Sequence, residues 1–152
     1  MSAAVQHSFE IERTYPAPLA RVWRALADPS RRARWCGPAQ GNLDLDFRPG
    51  GHERDHGVAP DGTRYRTDGT FAVIEEGRRT VSTGHTWREE ELITVSLLTM
   101  ELSEVPGGTR LQIIEHGVYL GADAGSLAVE RKIGTQAELE LLDRFLEETP
   151  ED

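Results

Sequence analysis

The sequence predicts an α+β chain: a strongly bent antiparallel sheet of about seven strands, with one long C-terminal helix across its concave face and two short helices after the first strand. Three observations predict it. Short segments through the middle of the chain alternate apolar with polar residues and are separated by Gly-containing turns. Helical spacing is confined to a stretch after the first strand and to the end of the chain, and strands segregated from helices mark α+β architecture. The final stretch, roughly 123–148, would reach about 35–40 Å as a helix, longer than most in a domain this size.

Each element has its own signal. Phe9, Ile11 and Tyr15 alternate with Glu10, Glu12 and Thr14, a half-buried first strand. Pro16 and Pro18 end it, and Pro18 suits the first turn of a helix. Leu19, Val22, Trp23 and Leu26 then recur at helical spacing. Asp28-Pro29-Ser30 breaks that helix and starts another, which ends near Trp35-Cys36-Gly37-Pro38. Leu43, Leu45 and Phe47 alternate with Asp44, Asp46 and Arg48 before the turn Pro49-Gly50-Gly51. His52 to His56 reads as a short strand and Asp61-Gly62 as the next turn. Tyr65, Thr67, Phe71 and Val73 share one parity, and Val81, Thr83, His85 and Trp87 share another. From Leu92 the phase changes: Ile93, Val95 and Leu97 point one way, then Leu98, Met100 and Leu102 carry the apolar parity. A bulge near Leu97–Thr99 reconciles the two. Pro106-Gly107-Gly108 turns the chain into Leu111 and Ile113, whose parity sends Glu115 inward. In the last helix the expected buried stripe is Leu127, Ile133, Ala137, Leu141 and Phe145, widened by Leu142 and Leu146. Gly134, in mid-helix, costs about 1 kcal/mol against Ala and suggests a kink or a close backbone approach. A single helix fills a curved sheet poorly, so a pocket between them is expected.

One domain over residues 1–152 is the expectation for a chain of 152 residues. The first residues lack the basic start and apolar run of a secretory signal, and no stretch approaches the roughly 20 apolar residues of a membrane span. Cys36 is the one cysteine, so no internal disulfide forms; a soluble, cytoplasmic protein is expected. The net charge of −9 is concentrated in the second half, where 7 basic residues face 15 acids. That argues against a nucleic-acid partner, which needs a basic footprint. Arg21, Arg24, Arg31, Arg32 and Arg34 cluster; the ordinary reading is a solvated or acid-paired helix face, and the alternative is a docking patch.

The run from Pro18 to Pro29 (PLARVWRALADP), followed by Trp35-Cys36-Gly37-Pro38, Arg48-Pro49-Gly50-Gly51 and Gly107-Gly108-Thr109-Arg110-Leu111, resembles the SRPBCC (START-like) superfamily. More narrowly it resembles the branch named for the activator of heat-shock-protein-90 ATPase homologues. The resemblance spans nearly the whole chain and implies the helix-grip fold, a curved sheet gripping a C-terminal helix around a hydrophobic cavity. It implies no single function: members bind lipids, hormones or polyketides, some catalyse cyclisation or dehydration, and a few act as co-chaperones. The branch usually carries Gly-Trp inside the last helix, where this chain has Gly134-Thr135.

His52-Glu53-Arg54-Asp55-His56 spells the zincin motif, which needs a helix to bring both imidazoles about 6 Å apart. Between Pro49-Gly50-Gly51 and Gly57 a strand or turn is favoured, and in a strand the two histidines stand about 13 Å apart. No metal site is therefore expected. No nucleophile elbow, phosphate-cradling glycine loop or Cys/His metal spacing is present, so no cofactor is expected. Cys36 reads as a packed thiol. The expected function is binding of a hydrophobic or aromatic small molecule between sheet and last helix. The expected lining is Trp35, Phe47, Tyr65, Phe71, His85, Trp87, Met100, Glu115, Tyr119, Ile133 and Ala137. Two alternatives stay open: a cyclase or hydratase with Glu115 and His85 as acid and base, and a co-chaperone using the arginine face. A homodimer through Ile93, Val95 and Leu97 is a further expectation.

Overall fold

A computed structural model describes residues 4–36 and 42–149. Its strands are β1 (Ala4–Tyr15), β2 (Asp44–Leu45), β3 (His52–Val58), β4 (Arg64–Glu75), β5 (Arg79–Arg88), β6 (Glu91–Val105) and β7 (Gly108–Leu120). Its helices are α1 (Leu19–Ala27), α2 (Pro29–Cys36) and α3 (Ala124–Glu148). The seven strands form one antiparallel sheet in the order β1-β7-β6-β5-β4-β3-β2, so only the pairing of β1 with β7 joins strands distant in sequence. This is the expected curved sheet with its C-terminal helix, an α+β helix-grip fold. Gly37 and Pro38 lie outside the described residues. Among the described residues, no helix is long and apolar enough to cross a membrane.

The two Pro-Gly-Gly turns work by the same division of labour. Gly50 (φ +80°) and Gly107 (φ +85°) hold left-handed backbone that favours glycine. Gly51 and Gly108 are needed for closeness: a Cβ there would stand 2.1 Å from the Asp46 carbonyl oxygen and 2.0 Å from that of Tyr15.

Inside the sheet, Phe9, Ile11, Tyr15, Leu102, Leu111 and Ile113 meet Val22, Trp23 and Leu26 of α1 and Leu139, Leu142, Phe145 and Leu146 of α3. Directed bonds fix these elements. The Tyr15 hydroxyl donates to the Leu139 carbonyl at 3.1 Å, and the Trp35 indole N–H donates to the Ala25 carbonyl at 2.7 Å, locking α2 onto α1. Arg21 donates to the carbonyls of Leu146 and Thr149, capping the end of α3 that lacks basic residues of its own. Arg34 lies over the Phe145 ring at 5.1 Å, and Arg31 pairs with Asp28 at 3.2 Å.

Four expectations are corrected, three by strand register and one by helical phase. Phe71 pairs with Ser82 but Val73 pairs with Val81, so a bulge turns Val73 outward while Phe71 stays inside. Paired residues in an antiparallel sheet share a face, so Thr80 and Ser82 face inward, and Val81, Thr83 and His85 outward. The irregularity at β6 lies where Trp87 pairs with Leu92 and Thr86 with Thr94, not near Leu97–Thr99. It leaves Ile93 buried, at 3% exposure, while Leu97 on the outer face is 43% exposed. The buried face of α3 is Ala124, Ala128, Thr135, Leu139, Leu142, Phe145 and Leu146, and Ile133 is 60% exposed. The step of six from Leu127 to Ile133 does not keep a helical phase. Stepping by three and four from Ala124 leads instead through Arg131 and Thr135, polar residues in mid-stripe.

Candidate functional site

Those polar residues face a cavity. It has a volume of about 160 Å³ and lies between the sheet, α2 and α3. One part of its wall is apolar: Leu26, Trp35, Phe47, Phe71, Leu98, Met100, Ile113 and Leu139. Phe47 sits edge-on between Trp23 and Phe71, with ring centroids 5.6 and 5.0 Å away, so the aromatic wall is held from both sides. The Thr135 hydroxyl donates to the Arg131 carbonyl within α3, at 2.9 Å, which satisfies it locally.

The rest of the wall is charged: Arg32 from α2, Glu53 and Asp55 from β3, Arg131 and Glu138 from α3, with the hydroxyls of Thr67, Thr80 and Ser82. Arg32 donates to Glu53 at 2.6 Å and to the Cys36 sulfur at 2.9 Å. Burial pulls its pKa down, but Glu53 and Cys36 outweigh that and hold it above the usual value. Arg131 grips Glu115 with three bonds of 3.1–3.2 Å. The Glu115 side chain is 1% exposed and that of Arg131 40%. Burial lowers the Arg131 pKa too, and Glu115 reverses the effect. Asp55 and Glu138 accept no hydrogen bond and sit in no ion pair of the described residues. Burial, then Glu53 and Glu138, push Asp55 up to about 6. Burial also raises Glu138, against the pull of Arg32 and Arg131. Burial likewise raises the Cys36 thiol despite Arg32, so it is a packed, unreactive sulfur.

Of the expected lining, Trp35, Phe47, Phe71 and Met100 are on the cavity wall. Glu115 is inside but stands behind Arg131. Tyr119 belongs to a second buried cluster with Ala124 and Ala128, its hydroxyl without a partner among the described residues and its pKa pushed by burial up to about 12. Tyr65 is 36% exposed, and Ala137 and Ile133 are exposed. Trp87 pairs with Arg66 on the outer face, under the Arg66 guanidinium at 5.0 Å. His85 pairs with Val95, and Val95 with Val118, which puts it on the face opposite Glu115. Those two residues cannot act on one bound molecule. His52 and His56 lie on β3 with their side chains on the face away from Glu53 and Asp55. Among the described residues no group of His, Cys, Asp and Glu is arranged to hold a metal ion.

Arg32, Glu53, Asp55, Arg131 and Glu138 were not anticipated. Two signals were available: Glu53 and Asp55 alternate with His52, Arg54 and His56, and Arg131, Thr135 and Glu138 continue the helical phase of Ala124 and Ala128.

The family model of activator of Hsp90 ATPase homolog 1-like proteins matches residues 16–147. An uncharacterised protein from Rhizobium leguminosarum is 33% identical, covering 97% of this chain and 99% of its own, with a TM-score of 0.88. Mll3558 from Rhizobium loti is 32% identical over 95% of this chain and 99% of its own, with a TM-score of 0.84. CalU16 from Micromonospora echinospora is 26% identical over 96% of this chain and 86% of its own, with a TM-score of 0.65. No protein of curated function matches the sequence.

Proposed function

The chain belongs to the family of activator of Hsp90 ATPase homolog 1-like proteins, whose fold commonly binds hydrophobic ligands, and from that premise we propose that it binds a small aromatic molecule in the cavity between sheet and α3. The observation that carries the reading is the cavity itself, about 160 Å³ with Trp35, Phe47, Phe71 and Met100 on its wall. That is the size of a cavity of about 150 Å³ that takes up benzene, so one ring with a short substituent fits without rearrangement. The charged groups of the wall, Arg32, Glu53, Asp55, Arg131 and Glu138, act on one another electrostatically, and such a cluster is able to orient a ligand.

Thr135 is the position for a direct test. It lines the cavity, and an indole there would occupy the space. Thr135→Trp is expected to abolish binding of single-ring aromatic probes, followed by thermal shift and native mass spectrometry, while the far-ultraviolet circular dichroism stays that of the parent. Unchanged probe binding in the variant would place the site elsewhere.

A further inference from the structure

The charged part of the cavity does more than border an apolar hole. Facing it are Arg32 on α2, Glu53 and Asp55 on β3, and Arg131 and Glu138 on α3, with Glu115 of β7 behind Arg131 and the Thr67 hydroxyl of β4 alongside. Two guanidinium groups therefore meet four carboxyl groups. Both guanidinium groups are engaged, Arg32 with Glu53 at 2.6 Å and Arg131 with Glu115 through both of its oxygens. Asp55 and Glu138 have no donor of their own among the described residues. Both are half-buried on the cavity wall with oxygens free to accept, so a ligand that brings a donor finds two acceptors there.

We propose that the cavity selects an aromatic molecule carrying a cationic nitrogen, an arylalkylamine or an arylamidine, with the ring against Trp35, Phe47 and Phe71 and the nitrogen donating to Asp55 and Glu138. The proposal rests on the ligand-binding reading above and deepens it. An aromatic acid is the wrong complement. It would add a negative charge to the four present, and each guanidinium that could answer it already carries a carboxylate, Arg32 holding Glu53 and Arg131 holding Glu115. A neutral alcohol supplies one donor and no charge, and so ranks between the two.

Three probes of one frame separate the readings: 2-phenylethylamine, 2-phenylethanol and phenylacetate, titrated calorimetrically into the full chain at pH 7.5 and pH 5.0. At pH 7.5 the amine is expected to bind at least tenfold more tightly than the alcohol, with phenylacetate weakest. Between the two pH values its affinity is expected to fall at least threefold, because Asp55, pushed by burial, Glu53 and Glu138 up to about 6, takes up a proton that the cation must displace. The double variant Asp55→Asn, Glu138→Gln is expected to bring the amine down to the alcohol's affinity. It replaces carboxylates by neutral amides of the same shape and is expected to keep the parent's far-ultraviolet circular dichroism. Equal binding of amine and alcohol, or a preference for phenylacetate, would overturn the charge selection and leave the cavity as a ligand site. Silence from all three probes would overturn both readings.

Discussion

Asp55 and Arg131 share one cavity wall and differ in what removing them should do. Asp55 is raised in the fold to about 6, from about 3.9 in an unfolded chain. The native state therefore holds the extra proton between those values. Stability falls as pH rises through about 4 to 6 and stays lowered above it. Asp55→Asn is expected to gain about 1–2 kcal/mol at pH 7.5, with the gain shrinking towards zero as pH falls to about 4; urea unfolding at the two pH values measures it, and a loss at pH 7.5 would count against an unpartnered carboxylate. Arg131→Ala acts in the opposite direction, since it strands Glu115 at 1% exposure. The expected cost is about 3 kcal/mol at neutral pH. Glu115→Gln should cost less, about 1 kcal/mol, because Arg131 is 40% exposed and can take water in exchange. Equal costs for the two variants would contradict that asymmetry. None of this was legible in residue type alone. Asp55 sits inside a motif, His52 to His56, whose histidines draw the eye, and the strand parity that turns Glu53 and Asp55 inward becomes decisive only once Asp55 is paired with Thr67.

At the scale of elements, α3 shows how a pattern can be right about existence and wrong about orientation. Its span, Ala124–Glu148, agrees with the expected helix to within a residue. Its buried face does not, because helical phase and not side-chain size sets which residues turn inward. Val129 and Ile133 are 59% and 60% exposed, while Arg131, Thr135 and Glu138 lie on the cavity. Polar residues on the inward face of this helix and apolar ones in water are what the proposed ligand site would require, and packing alone would not select them. Gly134 is on the outer side, and a Cβ there would meet nothing within 4 Å, so no close approach requires it. Gly134→Ala is expected to stabilise by about 0.5–1 kcal/mol in chemical denaturation; destabilisation would mean that the helix needs glycine's backbone freedom there. β5 repeats the lesson. Val81, Thr83, His85 and Trp87 do not line the cavity, and the one-residue bulge between Phe71 and Val73 shows why parity carried across strands without register misplaces a whole face.

For the whole molecule, the cavity wall takes side chains from α1, α2, α3 and strands on both halves of the sheet, so the proposed ligand would couple to the stability of the entire fold. A bound aromatic amine at a free concentration of 100 Kd is expected to stabilise by about 2.7 kcal/mol. For a chain of this length that raises Tm by about 5–10 °C, and a shift that does not grow with ligand concentration would exclude binding to the native state alone. By itself the sequence determined the architecture: alternation fixes where strands run, Pro-Gly-Gly turns fix where they reverse, and helical spacing separates α1, α2 and α3, all of them local properties carried by neighbouring residues. It determined part of the apolar wall as well, through Trp35, Phe47, Phe71 and Met100. The charged part of the cavity was decided only by the tertiary structure. Which face a strand turns inward depends on its partner's register and on single-residue bulges, and which carboxylate goes unpaired depends on groups from α2, β3, β7 and α3 meeting in space. Those are relations between segments far apart in the chain, and no local periodicity encodes them.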